Sequence, residues 1–446
     1  MRNILASNQI TQEQEKDLSA RRINMAIASG IAGASMAFLI NLFLARSMQI
    51  EIFGEFSSCM GVLKIWKVVC ALGMGTLATK IFKRNKSNRN IEESRGLRHT
   101  GPFLIIIASM ITYIALVTSH AMIHDKTAVR LESFAAVLSV LPLVCLRQFF
   151  KASVAVHGAG VAASVIAGWV EKTIYILFIG SLIVIWKPPL GILLVTGAMA
   201  SSLIISMLLL YILLFKSEPE IIKHGKPRYS VAKWAKTGFL LSLTTLGVAM
   251  LDNGGLVVLG WINADGTASA ELAAAITLGT IYYVIAQSCA SIFKPVLSEA
   301  AANRNQARVF NIFRLWYKHL AYLFLPSLTA MIITAPWLLN LFGQEFKGGI
   351  WTLIVCLIGY TITSFNLLFV KLYQYLGQEI NAMKIMLIAA MLGILGMWGL
   401  GIIWSDLGVA IAANIALIGA QASIAYLAWR DMGKWHTLPN HSTYQY

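Results

Sequence analysis

Blocks of about twenty apolar residues recur along the whole chain, and they restrict its possible folds more than any other feature. An apolar helix of about 20 residues is long enough to cross the ~30 Å hydrocarbon core of a bilayer. Only 13% of the 446 residues are charged and 57% are hydrophobic, whereas a soluble domain has roughly 25% charged residues. The sequence lacks the ten-residue alternating segments of a membrane β-barrel. It therefore predicts an all-α polytopic membrane protein.

Twelve blocks have the length of a membrane span. The first follows a polar segment of 22 residues that has no apolar region of its own, so we expect an uncleaved anchor rather than a signal peptide. The fourth contains Pro142, at which we expect a kink. The predicted spans are residues 23–45, 53–79, 101–119, 133–150, 159–185, 189–215, 234–262, 271–293, 318–340, 350–371, 382–404 and 406–429.

Basic residues lie mainly on one side of these predicted spans. With the N-terminus placed inside, 28 of the 36 Lys and Arg residues face the cytoplasm, five face outside and three lie within spans. Because loops rich in Lys and Arg stay in the cytoplasm, we predict that both termini are cytoplasmic. The net charge of +16 then follows from topology, and it requires no nucleic-acid partner.

A long polar segment after the sixth span divides the chain into two halves. Because six is an even number, the halves have the same orientation in the membrane. A pseudo-two-fold axis along the membrane normal would relate them, with a cavity between the lobes. The predicted organisation is an N-terminal tail (1–22), a six-helix lobe (23–215), a basic cytoplasmic linker (216–233), a second six-helix lobe (234–429) and a C-terminal tail (430–446).

Five basic residues in the first half are candidates for substrate binding: Lys64, Lys67, Arg147, Lys151 and Lys172. A charge at the centre of a bilayer costs about 2.5–3.5 kcal/mol, so it usually faces a cavity or a partner. The first two share one helix face, as do the next two, because they are three and four residues apart. A cationic cavity suits a phosphate or pyrophosphate group. Snorkelling to the cytoplasmic interface is the alternative, above all for Arg147 and Lys151 near a span end.

Two acidic residues inside spans, Glu171 and Asp252, are candidates for counter-ions or for the site of a coupling cation or proton. Asp252 lies near the middle of the seventh span, and both roles are open for it. Glu171 precedes Lys172 directly. Because adjacent residues of a helix point about 100° apart, we do not expect these two to pair.

Other chemistry has little support. The five cysteines lie in or beside apolar spans without a CxxC pair, so they are interpreted as free thiols that fill core space. We predict neither a metal nor a cofactor. A membrane glycosyltransferase or polymerase would need a large outside loop with paired carboxylates, and here the predicted outside loops do not exceed about 15 residues.

Four segments carry a resemblance to a known family. The first span leads into NLFLARSMQIEIFGEFS, and the second half contains LDNGGLVVLGW, SIFKPVLSEAAANR and LPSLTAMIITAPWLLNLFGQEFKGG. In order and spacing across residues 23–429, they resemble the bacterial polysaccharide (O-antigen type) flippases. These belong to the polysaccharide transporter branch of the MATE-like multidrug and oligosaccharidyl-lipid exporter superfamily.

The resemblance implies a MATE-like fold of two six-helix lobes in the bacterial inner membrane. It implies transport of a polyprenyl-pyrophosphate-linked oligosaccharide from the cytoplasmic to the periplasmic leaflet, without a cofactor or an enzymatic step. The implied partners are this glycolipid, membrane lipids and other polysaccharide assembly proteins, and we expect a monomer. The alternative is a cation-coupled multidrug exporter of the same superfamily. Such exporters rely on an acid in the first lobe, but the first span here offers Asn24 and Asn41 instead.

Overall fold

The computed structural model describes residues 31–75, 77–78, 88–122, 129–217, 227–263 and 265–433. The predicted N-terminal tail, the start of the first span and the last 13 residues of the chain lie outside these ranges. The helices of the first half are α1 (Ile31–Ser47), α2 (Ile50–Cys70), α3 (Asn88–Ala121), α4 (Leu131–Leu138), α5 (Leu141–Val154), α6 (Gly160–Val165), α7 (Glu171–Trp186) and α8 (Ile192–Ser217). Those of the second half are α9 (Val231–Ile262), α10 (Thr267–Ala302), α11 (Gln306–Ile333), α12 (Ala335–Phe342), α13 (Ile350–Tyr375) and α14 (Glu379–Gly433).

These helices confirm the prediction of an all-α polytopic membrane protein. By length and composition, eight helices among the described residues are able to cross a membrane, and the pair α11 and α12 would make a ninth. Helix α1 is shorter in its described part. Helix α2 carries four charged residues, Glu51, Glu55, Lys64 and Lys67, which is unusual for a span because each charge is costly in lipid.

Helix α14 contains two antiparallel arms. Its backbone leaves helical geometry at Trp404 (φ −125°, ψ 18°) and Ser405 (φ 51°, ψ −130°). The arms then pack closely, since a Cβ on Gly396 would contact Ala412 and one on Gly401 would contact Val409. The reversal falls at the residue that separates the predicted eleventh and twelfth spans.

Two predicted spans contain breaks that the sequence analysis does not predict. The ninth, 318–340, bends by 71° between α11 and α12. Pro336, one of the first residues of α12, has no N–H, and its ring would clash with the carbonyl four residues earlier, so α11 cannot continue through it. The second, 53–79, is interrupted after Cys70 by a turn in which Leu72 (φ 45°) and Gly73 (φ 57°) are left-handed. Gly73 permits this turn and brings the backbone against the carbonyl of Gly238 in α9.

The fourth span has the break that Pro142 predicts. Helix α4 ends at Leu138, a turn follows at residues 139–140, and α5 begins with Pro142 in its first turn. Beyond α5 the chain passes through two π-helical turns, Ala155–Ala159 and Ile166–Val170, on either side of α6. Over this stretch it turns back, so that Glu171 at the start of α7 contacts Arg147 in α5.

The two halves meet mainly through α2, which packs along α9 and against the start of α10. The close approach needs residues without side chains. A Cβ on Gly54 would overlap the carbonyl of Gly266, and one on Gly61 would stand 3.1 Å from the Asn253 carbonyl oxygen. Helix α2 therefore forms the seam between the halves, and Lys64 and Lys67 lie within it.

Candidate functional site

A cavity of about 360 Å³ lies between the two halves. Helices α1, α2, α5, α7 and α8 form its wall on the first half, and α9 and α10 supply Leu256, Ala273, Ile276 and Thr277 from the second. Most of the wall therefore belongs to the first half. The helices of this half carry the charged residues that the sequence singles out.

Four of the five predicted cations line this cavity: Lys64, Lys67, Arg147 and Lys172. Glu171 is the acid among the described lining residues, so these residues carry a net charge of +3 when all five groups are ionised. Lys64 and Lys67 make no hydrogen bond or ion pair with the part of the chain that the structure describes. Their ammonium groups are therefore available to a ligand.

Arg147 and Glu171 form an ion pair in the wall of the cavity. The Arg147 Nη1 atom donates to both carboxylate oxygens of Glu171 at 2.9 Å and to the carbonyl of Ala167 at 3.1 Å. The two side chains are 23% and 14% exposed. The Nε atom of Arg147 is buried without a hydrogen-bond partner among the described residues. One donor of this guanidinium is thus still unsatisfied after pairing.

Lys172 does not form an ion pair with its neighbour Glu171 but contacts α1 instead. Its Nζ atom donates to the carbonyl oxygen of Gly33 in α1 at 2.9 Å. An ammonium group has three donors, so two of them remain for a ligand or for water. The contact also joins α7 to α1 across the cavity wall.

A family model described as polysaccharide biosynthesis protein matches residues 19–301, which is more than half of the chain. The chain belongs to this family. Among curated proteins, none has a sequence that matches the chain. The family match confirms the resemblance that the short segments carry.

Solved structures show the same fold. An inward-facing multidrug resistance MATE transporter of the MOP superfamily is 14% identical, with a TM-score of 0.75, and the match covers 92% of this chain and 96% of that one. An outward-facing MATE transporter is 14% identical, with a TM-score of 0.68 and coverage of 94% and 96%. A MOP transporter from Pyrococcus furiosus with a binding pocket of reversed polarity is 15% identical, with a TM-score of 0.64 and coverage of 93% and 96%. The MATE-like fold is therefore confirmed.

Two segments that carry the family resemblance meet at one end of the cavity. Arg46, at the end of α1, donates to the carbonyls of Leu341 at 2.6 Å and Asn340 at 3.1 Å, near the end of α12. Phe53 lies edge-on to Phe346, with ring centroids 6.0 Å apart. Both contacts lie at the ends of α1 and α2 that the predicted topology places outside.

Lys151 and Asp252 do not line the main cavity. Lys151 is exposed, one helical turn beyond Arg147, and its role in binding stays a prediction. Asp252 lines a separate space of about 20 Å³ with Tyr360 and Asn414, which is room for about one water molecule. Its carboxylate interacts electrostatically with Lys64 without a direct ion pair.

Sequence reasoning missed several uncharged polar residues of the wall, among them Ser57, Tyr175, Ser202 and Thr277. Helical spacing is a signal for two of them. On α2, Met60 lies four residues before Lys64, and Ser57 lies three residues before Met60. These residues therefore share a helix face with Lys64, and they line the same cavity. Tyr175 follows Glu171 by four residues. Helical spacing from the charged residues thus predicts part of the cavity wall.

Proposed function

We propose that this transporter moves a polyprenyl-pyrophosphate-linked oligosaccharide, such as the repeat unit of O-antigen or another surface polysaccharide, from the cytoplasmic to the periplasmic leaflet of the bacterial inner membrane. The observation that carries the proposal is the cavity between the halves, with a net charge of +3 and two unpaired lysines. The polysaccharide biosynthesis family and the transporter fold support it.

The arrangement suits a pyrophosphate. Lys64 and Lys67 supply point charges, and Arg147 supplies a planar fork of donors. Glu171 occupies part of that fork through its ion pair with Arg147. An incoming phosphate would therefore compete with Glu171 for Arg147. This competition limits the affinity, so that the substrate is also able to leave.

The membrane potential favours this direction of transport. Moving one elementary charge across 100 mV is worth about 2.3 kcal/mol. Two negative charges that leave the negatively charged cytoplasm would gain about 4–5 kcal/mol at that potential. Nucleotide hydrolysis is not required for a step of this size. A proton- or cation-coupled step through Asp252 is compatible with the same mechanism.

The cavity must widen during transport. Its volume of about 360 Å³ lies in the lower part of the ~300–1,000 Å³ range of ligand pockets. That is room for a pyrophosphate and the nearest sugar, but an oligosaccharide needs more. We expect the halves to separate along α2 and α9, while the polyprenyl tail remains in lipid.

A cation-coupled multidrug exporter is the second candidate, because the similar solved structures include multidrug MATE transporters. The charge of the cavity weighs against it. A cationic drug would meet four positive groups and one carboxylate that is already paired with Arg147. An anionic glycolipid meets the complementary charge.

The decisive experiment is the double replacement Lys64→Ala and Lys67→Ala in proteoliposomes. We expect it to abolish translocation of a polyprenyl-pyrophosphate-linked sugar, measured by the access of a lectin to the sugar, and to leave membrane insertion unchanged. The matched control is Lys318→Ala with Lys384→Ala, two exposed lysines outside the cavity. Normal glycolipid transport by the cavity variant would refute the proposal, and efflux of a cationic dye by the wild type would favour the exporter.

A further inference from the structure

Tyr175 is a buried tyrosine in the cavity wall whose hydroxyl has no partner. Its side chain lines the cavity from α7, one helical turn beyond Glu171. The residue is 8% exposed, and its Oη atom makes no hydrogen bond with the described residues. A buried hydroxyl without a partner costs free energy. A ligand oxygen that enters the cavity would remove this cost.

The other hydroxyls of the wall already donate their protons to the protein. Ser57 donates to the carbonyl of Phe53 at 2.7 Å, and Ser202 donates to Met199 at 2.8 Å. Thr277 donates to the carbonyl of Ala273 at 2.7 Å. Each hydroxyl has one proton, so these three can offer only acceptor lone pairs to a ligand.

This pattern distinguishes a sugar from a phosphate. An ionised phosphate has acceptors alone, so it gains nothing from the lone pairs of Ser57, Ser202 and Thr277. A sugar hydroxyl both donates and accepts, and it suits three acceptors beside one free donor on Tyr175. The tyrosine ring also supplies an apolar face of the kind that lines ligand pockets.

The serine and the two lysines that α2 contributes to the wall lie at different levels of the cavity. On α2, Ser57 precedes Lys67 by ten residues, which is about 15 Å along the helix axis. Lys64 and Lys67 thus mark a cationic end, and Ser57 marks a neutral end. A pyrophosphate held by the lysines would direct its attached group toward the neutral end.

We propose that Tyr175, Ser57, Ser202 and Thr277 form a second subsite, which binds the sugar attached to the pyrophosphate. This inference rests on the proposed function and adds a recognition element for the glycan. In it, the Tyr175 hydroxyl donates to a sugar oxygen, and the three aliphatic hydroxyls accept from sugar O–H groups. Tyr175 is then a residue of substrate specificity.

The test measures binding to two probes in detergent, a short-chain polyprenyl pyrophosphate and the same lipid with one attached hexose. Tyr175→Phe should weaken binding of the sugar-bearing lipid by about 3- to 10-fold, as expected for one neutral hydrogen bond. Binding of the sugar-free lipid should not change. Thr277→Val, which removes one acceptor at nearly constant volume, should show the same selectivity.

The matched control is Ser206→Ala in α8. The Ser206 hydroxyl is also buried without a hydrogen-bond partner among the described residues, but it does not line the cavity. Its removal should leave both affinities unchanged. Equal weakening of both probes by Tyr175→Phe, or no weakening of either, would overturn the sugar subsite and leave the flippase proposal intact. Binding of neither probe to the wild type would overturn the flippase proposal itself.

Discussion

Glu171→Gln should strengthen the binding of pyrophosphate, because the Glu171 carboxylate is paired with Arg147. Both of its oxygens accept from Nη1 at 2.9 Å, and a ligand must replace them. A hydrogen bond to a charged group contributes about 1.5–3 kcal/mol. Since 1.4 kcal/mol is a factor of ten, the neutral amide should tighten binding by about 10- to 100-fold.

The same substitution should destabilise the empty protein. It leaves the Arg147 guanidinium with a neutral amide and the Ala167 carbonyl as its partners. Loss of one partner from a fully buried pair costs roughly 3–5 kcal/mol. The Arg147 side chain is 23% exposed, so water in the cavity should keep the cost below this range. Added pyrophosphate should restore the unfolding temperature, because a ligand that binds the folded state stabilises it.

The assay is calorimetric titration of inorganic pyrophosphate, together with thermal unfolding of the purified protein in detergent. Glu299→Gln is the matched control. Glu299 pairs with Arg308 at the same distance of 2.9 Å, but its side chain is 57% exposed and lies outside the cavity. The control should change neither quantity appreciably. Equal or weaker binding of pyrophosphate by Glu171→Gln would show that Glu171 does not compete with the ligand.

Two further substitutions test the charge and the packing at the seam. Asp252→Asn removes the acid that interacts with Lys64, so we expect slower glycolipid transport with normal membrane insertion. If the variant is only less stable and each folded molecule transports normally, Asp252 is a structural counter-ion only. Gly54→Ala introduces a Cβ that would overlap the Gly266 carbonyl, so the unfolding temperature should fall, as expected for overpacking of about 1–3 kcal/mol. Gly180→Ala, which has open space around the new Cβ, is its control, and equal unfolding temperatures would contradict the close approach at Gly54.

The sequence predicts the helices well because lipid imposes a length and an apolar composition on each of them. The reversal at Ser405 and the break before Pro142 also follow from local signals. Pro336 is itself a sequence signal for the bend before it, but the apolar residues continue without interruption on both sides of the bend. Hydropathy alone therefore merges α11 and α12 into one predicted span.

The sequence does not predict which side chains pair when they are far apart along the chain. The ion pair between Arg147 and Glu171 depends on how the chain turns back through two π-helical turns, and no periodic pattern specifies that path. Lys151 illustrates a second limit. Residues four apart share a helix face, but they also differ by about 6 Å along the axis. Lys151 consequently lies beyond the cavity that Arg147 lines.

The contact between Arg46 and α12 has a consequence for mutational screens of this protein. The arginine donates to main-chain carbonyls of Asn340 and Leu341, and every amino acid retains that carbonyl. An alanine scan across α12 would therefore leave the contact in place and record its partners as dispensable. Only a change at Arg46, or a change in the path of the α12 backbone, would reveal how strongly this contact holds the two halves together.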